Sequence, residues 1–212
     1  KKRFAGQIRA GQEIFEECTT TIIKQVDDLK ELVNEFSTFA RLPEANPTPN
    51  ALSEVVQEAM VLFQEGHKGI RFAFEELQEI PILSLDREQI KRVFINLFDN
   101  AVFAMKGRGE IHVTADYKKA LQMVTVEVSD TGPGIPEEIK PRLFEPYFST
   151  KDAGTGLGLS IVKRIITDHN GFIRVADNQP KGTTFIIELP ARPSIRPQRR
   201  LIQGSRIETS HV

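Results

Sequence analysis

What this sequence has least of is cysteine. Cys18 is the only one in 212 residues, so no disulfide framework can staple the fold. A reducing, cytosolic compartment is the natural expectation. Cys18 falls within a helical pattern, where a lone thiol is expected to serve as a small buried hydrophobe. Net charge is almost absent as well: 28 Lys and Arg against 29 Asp and Glu leave −1. No global field draws the chain to nucleic acid or to an anionic membrane. No apolar run is long enough to cross a bilayer. Lys1-Lys2-Arg3-Phe4 leads into a charged helix, not into the apolar region of a signal peptide. What is there, 40% hydrophobic and 27% charged residues, can build a core. The length suits one ordinary domain with an accessory element. The first residue is not Met and lies in mid-pattern, so the chain reads as part of something longer.

From Phe15 to Ala40 the apolar residues alternate four and three apart: Phe15, Thr19, Ile22, Val26, Leu29, Val33, Phe36 and Ala40. That is a heptad seam on one helix, with Lys24, Asp27, Asp28, Lys30 and Glu31 on the other face. A single seam cannot bury itself, which favours a bundle or homodimer through residues 15–40 over a helix packed on its own domain. Residues 44–51 are proline-rich and are expected to be a linker. A one-sided helix starts at Leu52, with Ser53 or Asn50 as its cap. Strands are expected at Ile70–Phe74 and Ile82–Leu85. Asp86 followed by Gln89 resembles a capping box and opens a helix through Met105, ended by Gly107 and Gly109. Two strands in a hairpin arrangement, Glu110–Tyr117 and Gln122–Ser129, lead to a glycine-rich stretch. A helix over Leu157–His169 and closing strands at Phe172–Ala176 and Thr183–Leu189 complete the domain. The class is α/β, a two-layer α/β sandwich. Residues 191–212 hold five arginines and one glutamate with little apolar periodicity, and are expected to be disordered.

Four local features carry chemistry. Asn96 and Asn100 stand four apart on one helix face. Their amide oxygens are hard, neutral ligands suited to Mg²⁺ that is otherwise held by phosphates and water. Asparagines on a solvated helix face are the ordinary alternative. Next, Asp130-Thr131-Gly132-Pro133-Gly134 follows a strand directly. Its carboxylate can accept a hydrogen bond from an exocyclic amine such as adenine's, and its glycines let a flat ring approach closely. A tight surface turn would use the same residues. Third, Phe144-Glu145-Pro146-Tyr147-Phe148-Ser149-Thr150-Lys151 offers aromatics that would anchor a loop and a lysine able to reach a phosphate. Finally, Gly154-Thr155-Gly156-Leu157-Gly158 opens a helix, where backbone N–H groups make an anion site. The phosphate-loop pattern G-x-x-x-x-G-K-[ST] is absent.

Singly these signals are weak; in this order they describe a whole nucleotide site. Their order and spacing resemble the N, G1, F and G2 boxes of the GHKL ATP-binding superfamily, and Lys181-Gly182-Thr183 looks like the element that closes the same pocket. The resemblance covers residues 52–190. The aromatic box and the heptad helix look like sensor histidine kinases. Asn100-Ala101-Val102-Phe103-Ala104-Met105 and residues 33–43 are similar to nitrogen-regulation kinases of the NtrY type.

The resemblance implies a Bergerat-type ATP-binding domain over residues 52–190, preceded over residues 1–43 by part of a dimerisation and phosphotransfer bundle. It implies adenine against Asp130, with Gly132, Gly134 and Thr183 around it. Mg²⁺ falls to Asn100 and Asn96, and the phosphates to Lys151, Gly154, Thr155, Gly156, Leu157 and Gly158. It implies transfer of the γ-phosphoryl to a histidine and then to an aspartate of a response regulator receiver domain, in the cytoplasmic portion of a membrane-anchored kinase. Two departures stand out. Phe103 occupies a position where many such kinases carry a basic residue or histidine. None of His67, His112, His169 and His211 sits in the family's phosphoacceptor context, so the acceptor is expected upstream of residue 1. His169, near a helix end, is expected to be a favourable C-terminal charge, and His112 to pack within its strand. No general base is visible. A GHKL ATPase or serine kinase without a histidine acceptor, and a dimeric module without catalysis, are the competing classes.

Overall fold

The computed structural model describes residues 14–27, 29–30, 33, 37, 43–151 and 154–191. Helix α1 covers residues 14–27, and residues 29, 30, 33 and 37 are helical too. Then come β1 (Thr48–Asn50), α2 (Leu52–Gln64), β2 (Ile70–Glu76), β3 (Leu83–Leu85) and α3 (Arg87–Ala104). After them lie β4 (Gly109–Lys118), β5 (Met123–Asp130), a 3₁₀ turn at Lys140–Arg142, α4 (Gly158–Asp168), β6 (Phe172–Asp177) and β7 (Thr183–Pro190).

The sheet runs β2-β4-β5-β7-β6. Only β2 and β4 pair in parallel; every other ladder in it is antiparallel. β5 alternates half-buried and buried along its length, so Val124, Val126 and Val128 face one way. Ile111, Val113 and Ala115 of β4 and Phe185, Ile187 and Leu189 of β7 lie on the same side. Helices α2, α3 and α4 cover that face. In α3 the apolar residues Ile90, Val93, Phe94, Leu97, Phe98 and Ala101 recur every three or four positions and are all buried. Phe98 packs edge-on against Phe63 at 5.8 Å and Phe72 at 5.7 Å, joining α2, α3 and β2. The expected two-layer sandwich is thus present.

Several local expectations change. The proline-rich segment holds a strand: β1 pairs with β3, placing Thr48 opposite Leu85. Neither Asn50 nor Ser53 caps α2, whose N-cap is Ala51 without a side-chain bond. The Asn50 amide instead donates to Leu85 O at 3.0 Å and Ser53 donates to Glu76. The capping box at α3 is half formed. Asp86 Oδ1 accepts from Gln89 N at 3.1 Å, but the Gln89 side chain donates to Pro43 O at 3.0 Å.

His169 is not a terminal charge. It is buried, its Nδ1 donates to Ile165 O at 2.8 Å, and its Nε2 accepts from Asp86 N at 2.9 Å. One donor and one acceptor on the ring require the neutral imidazole. His169 therefore joins the end of α4 to the start of α3. Asp86 Oδ2 accepts from Asn46 N at 3.0 Å, so the segment before β1 is tied to the same point.

Cys18 is exposed, not buried. So are Phe15, Ile22, Val26, Leu29 and Val33, with Phe15 at 69% and Ile22 at 63%. Among the described residues, these five apolar positions of the seam are not covered by the rest of the chain. Phe36 and Ala40 of the seam, His211 and residues 192–212 of the expected tail lie outside the described residues. No helix among the described residues is long and apolar enough to cross a membrane.

Candidate functional site

Two chambers meet beside the second half of α3. The larger, about 850 Å³, runs from Asn100 and Phe103 to the end of β5 and the start of β7. Its walls are mostly apolar: Ala101, Ile135, Ile139, Leu143 and Phe185. The smaller, about 290 Å³, lies between α3 and the start of α4. Asn100, Phe103, Leu143, Thr150, Lys151 and Leu159 belong to both.

Asp130 stands at the far end of the larger chamber, 5% exposed. Its Oδ1 accepts from Gly132 N at 2.7 Å and from Thr183 N at 3.3 Å. Oδ2 has no protein partner among the described residues and remains available to a donor in the chamber. Burial pushes the carboxyl pKa up, while the bonds from Gly132 and Thr183 pull it down. The strand end is held rigidly, because Asn178 Nδ2 donates to Asp130 O at 2.8 Å. Gly182 passes beside it with φ +123; a Cβ there would lie 1.9 Å from Asp130 O. Only glycine allows that approach. Gly134 and Thr183 line this chamber. Gly132 does not; its part is the bond to Asp130.

The phosphate-sized end is built from facing elements. Positions 96, 99, 100 and 103 follow the i, i+3, i+4, i+7 rule, and all four side chains line the smaller chamber. Asn96 Nδ2 donates to Arg92 O at 2.9 Å, leaving Oδ1 beside the start of α4. A Cβ on Gly158 would lie 2.9 Å from that oxygen, so the helix begins with the residue that fits. Gly154, Thr155, Gly156 and Gly158 line the opposite wall. Leu157 does not; it is fully buried in the core. Tyr147 N donates to Gly156 O at 3.0 Å, which ties the aromatic segment to the glycine loop. Of its aromatics, Phe144 packs edge-on to Phe185 at 6.4 Å and Phe148 lines the smaller chamber, but Tyr147 is exposed rather than an anchor.

Lys151 lines both chambers. Its Nζ lies 3.3 Å from Asp99 Oδ2 and 4.5 Å from the centre of the Phe103 ring. Asp99 was missed in the sequence; its helical spacing to Asn96 and Asn100 is the one signal that could have found it. The apolar lining, Ile135, Ile139, Leu143 and Phe185, has no signature in the sequence. His67, His112 and His169 line neither chamber. His67 Nδ1 lies 3.1 Å from Phe63 O, and His112 Nε2, half exposed on β4, lies 3.7 Å from Glu75. Among the described residues no three His, Cys, Asp or Glu side chains cluster as a metal site.

Residues 85–193 match the family model described as histidine kinase-, DNA gyrase B-, and HSP90-like ATPase. The chain is 35% identical over 196 residues to the nitrogen regulation protein NtrY of Azorhizobium caulinodans, an alignment spanning 89% of this chain and 25% of NtrY. The catalytic domain of the histidine kinase ThkA superposes with a TM-score of 0.63 at 42% identity, covering 70% of this chain and 99% of that domain. ThkA in complex with the response regulator protein TrrA gives a TM-score of 0.69 at 35% identity over 82% of this chain and 51% of that one. Full-length ShkA in complex with AMPPNP gives 0.70 at 29% identity, covering 80% and 37%.

Proposed function

The chain belongs to the histidine kinase-, DNA gyrase B- and HSP90-like ATPase family, and we propose that its cleft holds ATP for phosphoryl transfer to a histidine, as in a nitrogen-regulation sensor kinase. The observation that carries this reading is the placement of Asp130. One carboxylate oxygen is fixed by two backbone donors and the other faces a mostly apolar chamber. That arrangement suits the amine edge of a flat heteroaromatic base. The second chamber, with Asn100 shared between the two, suits the phosphates.

Adenine lies between Asp130 and the apolar walls, with Thr183 beside it. Gly156 and Gly158 offer backbone N–H groups near the α4 N-terminus to the phosphates, while Gly154 N donates to Lys151 O within the loop. Lys151 adds one cation. Mg²⁺ fits the donor set, because the Asn96 amide is turned with its nitrogen on Arg92 O and its oxygen beside Gly158, and Asn100 opens onto the same space. When bound, the ion would neutralise phosphate charge and hold the terminal group in line. Positioning and charge neutralisation make up most of such catalysis, so the site needs few reactive groups. The phosphoryl acceptor is a histidine other than His67, His112 and His169, which lie outside the cleft.

The exposed seam of α1 pairs with a second copy in a helical bundle, and residues 43–50 join that bundle to the ATP domain at residues 52–190. ThkA with TrrA supports a response regulator receiver domain as the partner. NtrY supports a larger sensor protein, of which these residues form a cytoplasmic, ATP-binding part.

Calorimetric titration with Mg-ATP tests the reading. Saturable binding is expected, and Asn100→Ala should weaken it by about tenfold to a hundredfold, because an oxygen ligand to the phosphate-bound cation is lost. Unchanged affinity in that variant would remove Asn100 from the site.

A further inference from the structure

The Lys151 side chain sits on two groups that the ATP reading leaves without a task. Asp99 and Phe103 lie on the stripe formed by Asn96, Asp99, Asn100 and Phe103. Both are well exposed: Phe103 is 57% exposed, and the Asp99 side chain 68%. Neither contributes to the core. Lys151 reaches across from the aromatic segment and places its ammonium 4.5 Å from the Phe103 ring centre and 3.3 Å from Asp99 Oδ2.

The two contacts differ in kind. An aromatic face attracts an ammonium without accepting a strong hydrogen bond, so the N–H groups that point away from the ring stay available to an anion. A carboxylate takes a donor directly, and as an exposed partner it holds weakly. The ring therefore fixes position and the carboxylate fills a donor site that a stronger anion can take. A terminal phosphate beside Asn100 would be such an anion.

We propose that Phe103 is the seat of Lys151 and Asp99 its exchangeable counter-ion, so that the terminal phosphate of a nucleoside triphosphate displaces Asp99 from a lysine already in place. Both are positioning residues: they act through Lys151. The inference rests on reading the cleft as an ATP site. It assigns to this pair the discrimination between a triphosphate and a diphosphate, and it accounts for an aromatic residue at 103. A cation projecting from 103 on α3 would reach the space that Lys151 Nζ now occupies.

The test is the ratio of affinities for AMPPNP and ADP, measured with Mg²⁺ by calorimetry on the 212-residue chain. Lys151→Ala should lower that ratio by about tenfold to a hundredfold, the size of one charge-assisted hydrogen bond. Phe103→Leu should lower it by roughly twofold to fivefold, the worth of an exposed cation–π contact, and Phe103→Tyr should restore it. Asp99→Asn should raise it, and that gain should shrink when Lys151 is already alanine. Phe103→Lys in the Lys151→Ala background should recover most of the lost ratio. Asp99 and Phe103 are exposed, and Lys151, 24% exposed, lines the cleft rather than the core, so melting temperatures should stay close to wild type. A ratio unmoved by Phe103→Leu, a fall with Asp99→Asn, or no recovery with Phe103→Lys would overturn the proposal while leaving the ATP reading intact. Failure of the wild-type chain to bind either nucleotide would remove both.

Discussion

Asp130→Asn should move recognition and stability in opposite directions. Asn keeps an oxygen at the Oδ1 position, where it still accepts from Gly132 N and Thr183 N. That choice turns the new amide nitrogen into the chamber, in place of Oδ2. A donor then faces the amine of adenine, which is itself a donor. The lost bond is one to a charged acceptor, worth about 1.5–3 kcal/mol, so ATP affinity should fall by about tenfold to a hundredfold. The same amide suits a base with a carbonyl on that edge, so the preference for ATP over GTP should narrow or invert.

Stability should move the other way. Burial raises the Asp130 carboxyl pKa, and the two backbone donors only partly offset it. A folded-state pKa above the unfolded one means that the folded chain binds the proton more tightly. Asp130 therefore costs stability above its raised pKa, including at neutral pH. The cost disappears as pH falls through that value towards the ordinary carboxylate range. Asn carries no such cost. The variant should melt above wild type at neutral pH, with the gap closing in mild acid. Calorimetric titration with ATP and GTP, beside melts across pH, reads both effects. Unchanged ATP affinity together with a lower melting temperature at neutral pH would refute the reasoning, because Asp130 would then be structural.

Gly182→Ala places a Cβ on Asp130 O at a backbone angle that disfavours side chains, and should cost about 1–3 kcal/mol in denaturant melts along with weaker nucleotide binding. His169→Ala leaves the partly buried Asp86 N–H without its partner and removes a buried ring, so about 1–3 kcal/mol of stability should be lost, while AMPPNP affinity at saturating folded protein stays near wild type. Ile22→Glu puts a charge on the exposed α1 seam; sedimentation should show a dimer for the parent chain and a monomer for the variant, with ATP affinity unchanged.

The parts of the fold that were legible in the sequence are those governed by local periodicity. The three- and four-residue spacing of α3 and the alternation in β5 needed no knowledge of their neighbours. β1 was not legible. Thr48-Pro49-Asn50 has no alternation to display, and it is a strand only because β3 lies beside it. His169 failed for a related reason: its second partner, Asp86 N, lies far away in sequence, and only the fold shows that the ring must be neutral. Cys18 failed because a helical pattern locates an apolar face without saying what covers it. The candidate site divides in the same way. Asn96, Asn100, Asp130 and the glycines carry spacing or backbone signatures. The chamber walls and the contact between Lys151 and Phe103 arise from elements remote in sequence, and no motif encodes them.

Helix α3 links these two kinds of information. One face, Val93, Phe94, Leu97 and Phe98, is fixed in the core, and the opposite stripe carries Asn96, Asp99, Asn100 and Phe103. Side chains that need a common metal and a common phosphate gain most from a rigid mount, since small displacements cost binding and rate. Phe98 supplies that mount through its contacts with Phe63, Phe72 and Phe94. A cavity made there would loosen Asn96 and Asn100 together, so stability and phosphate binding should fall in step along α3. Asp130 is held instead by β7, Gly132 and Asn178, outside that coupling. The carboxylate that reads the base therefore has a support of its own, although α3 also walls the chamber in front of it. Core substitutions in α3 should weaken AMPPNP more than adenosine, and substitutions in the turn before β7 should weaken both alike.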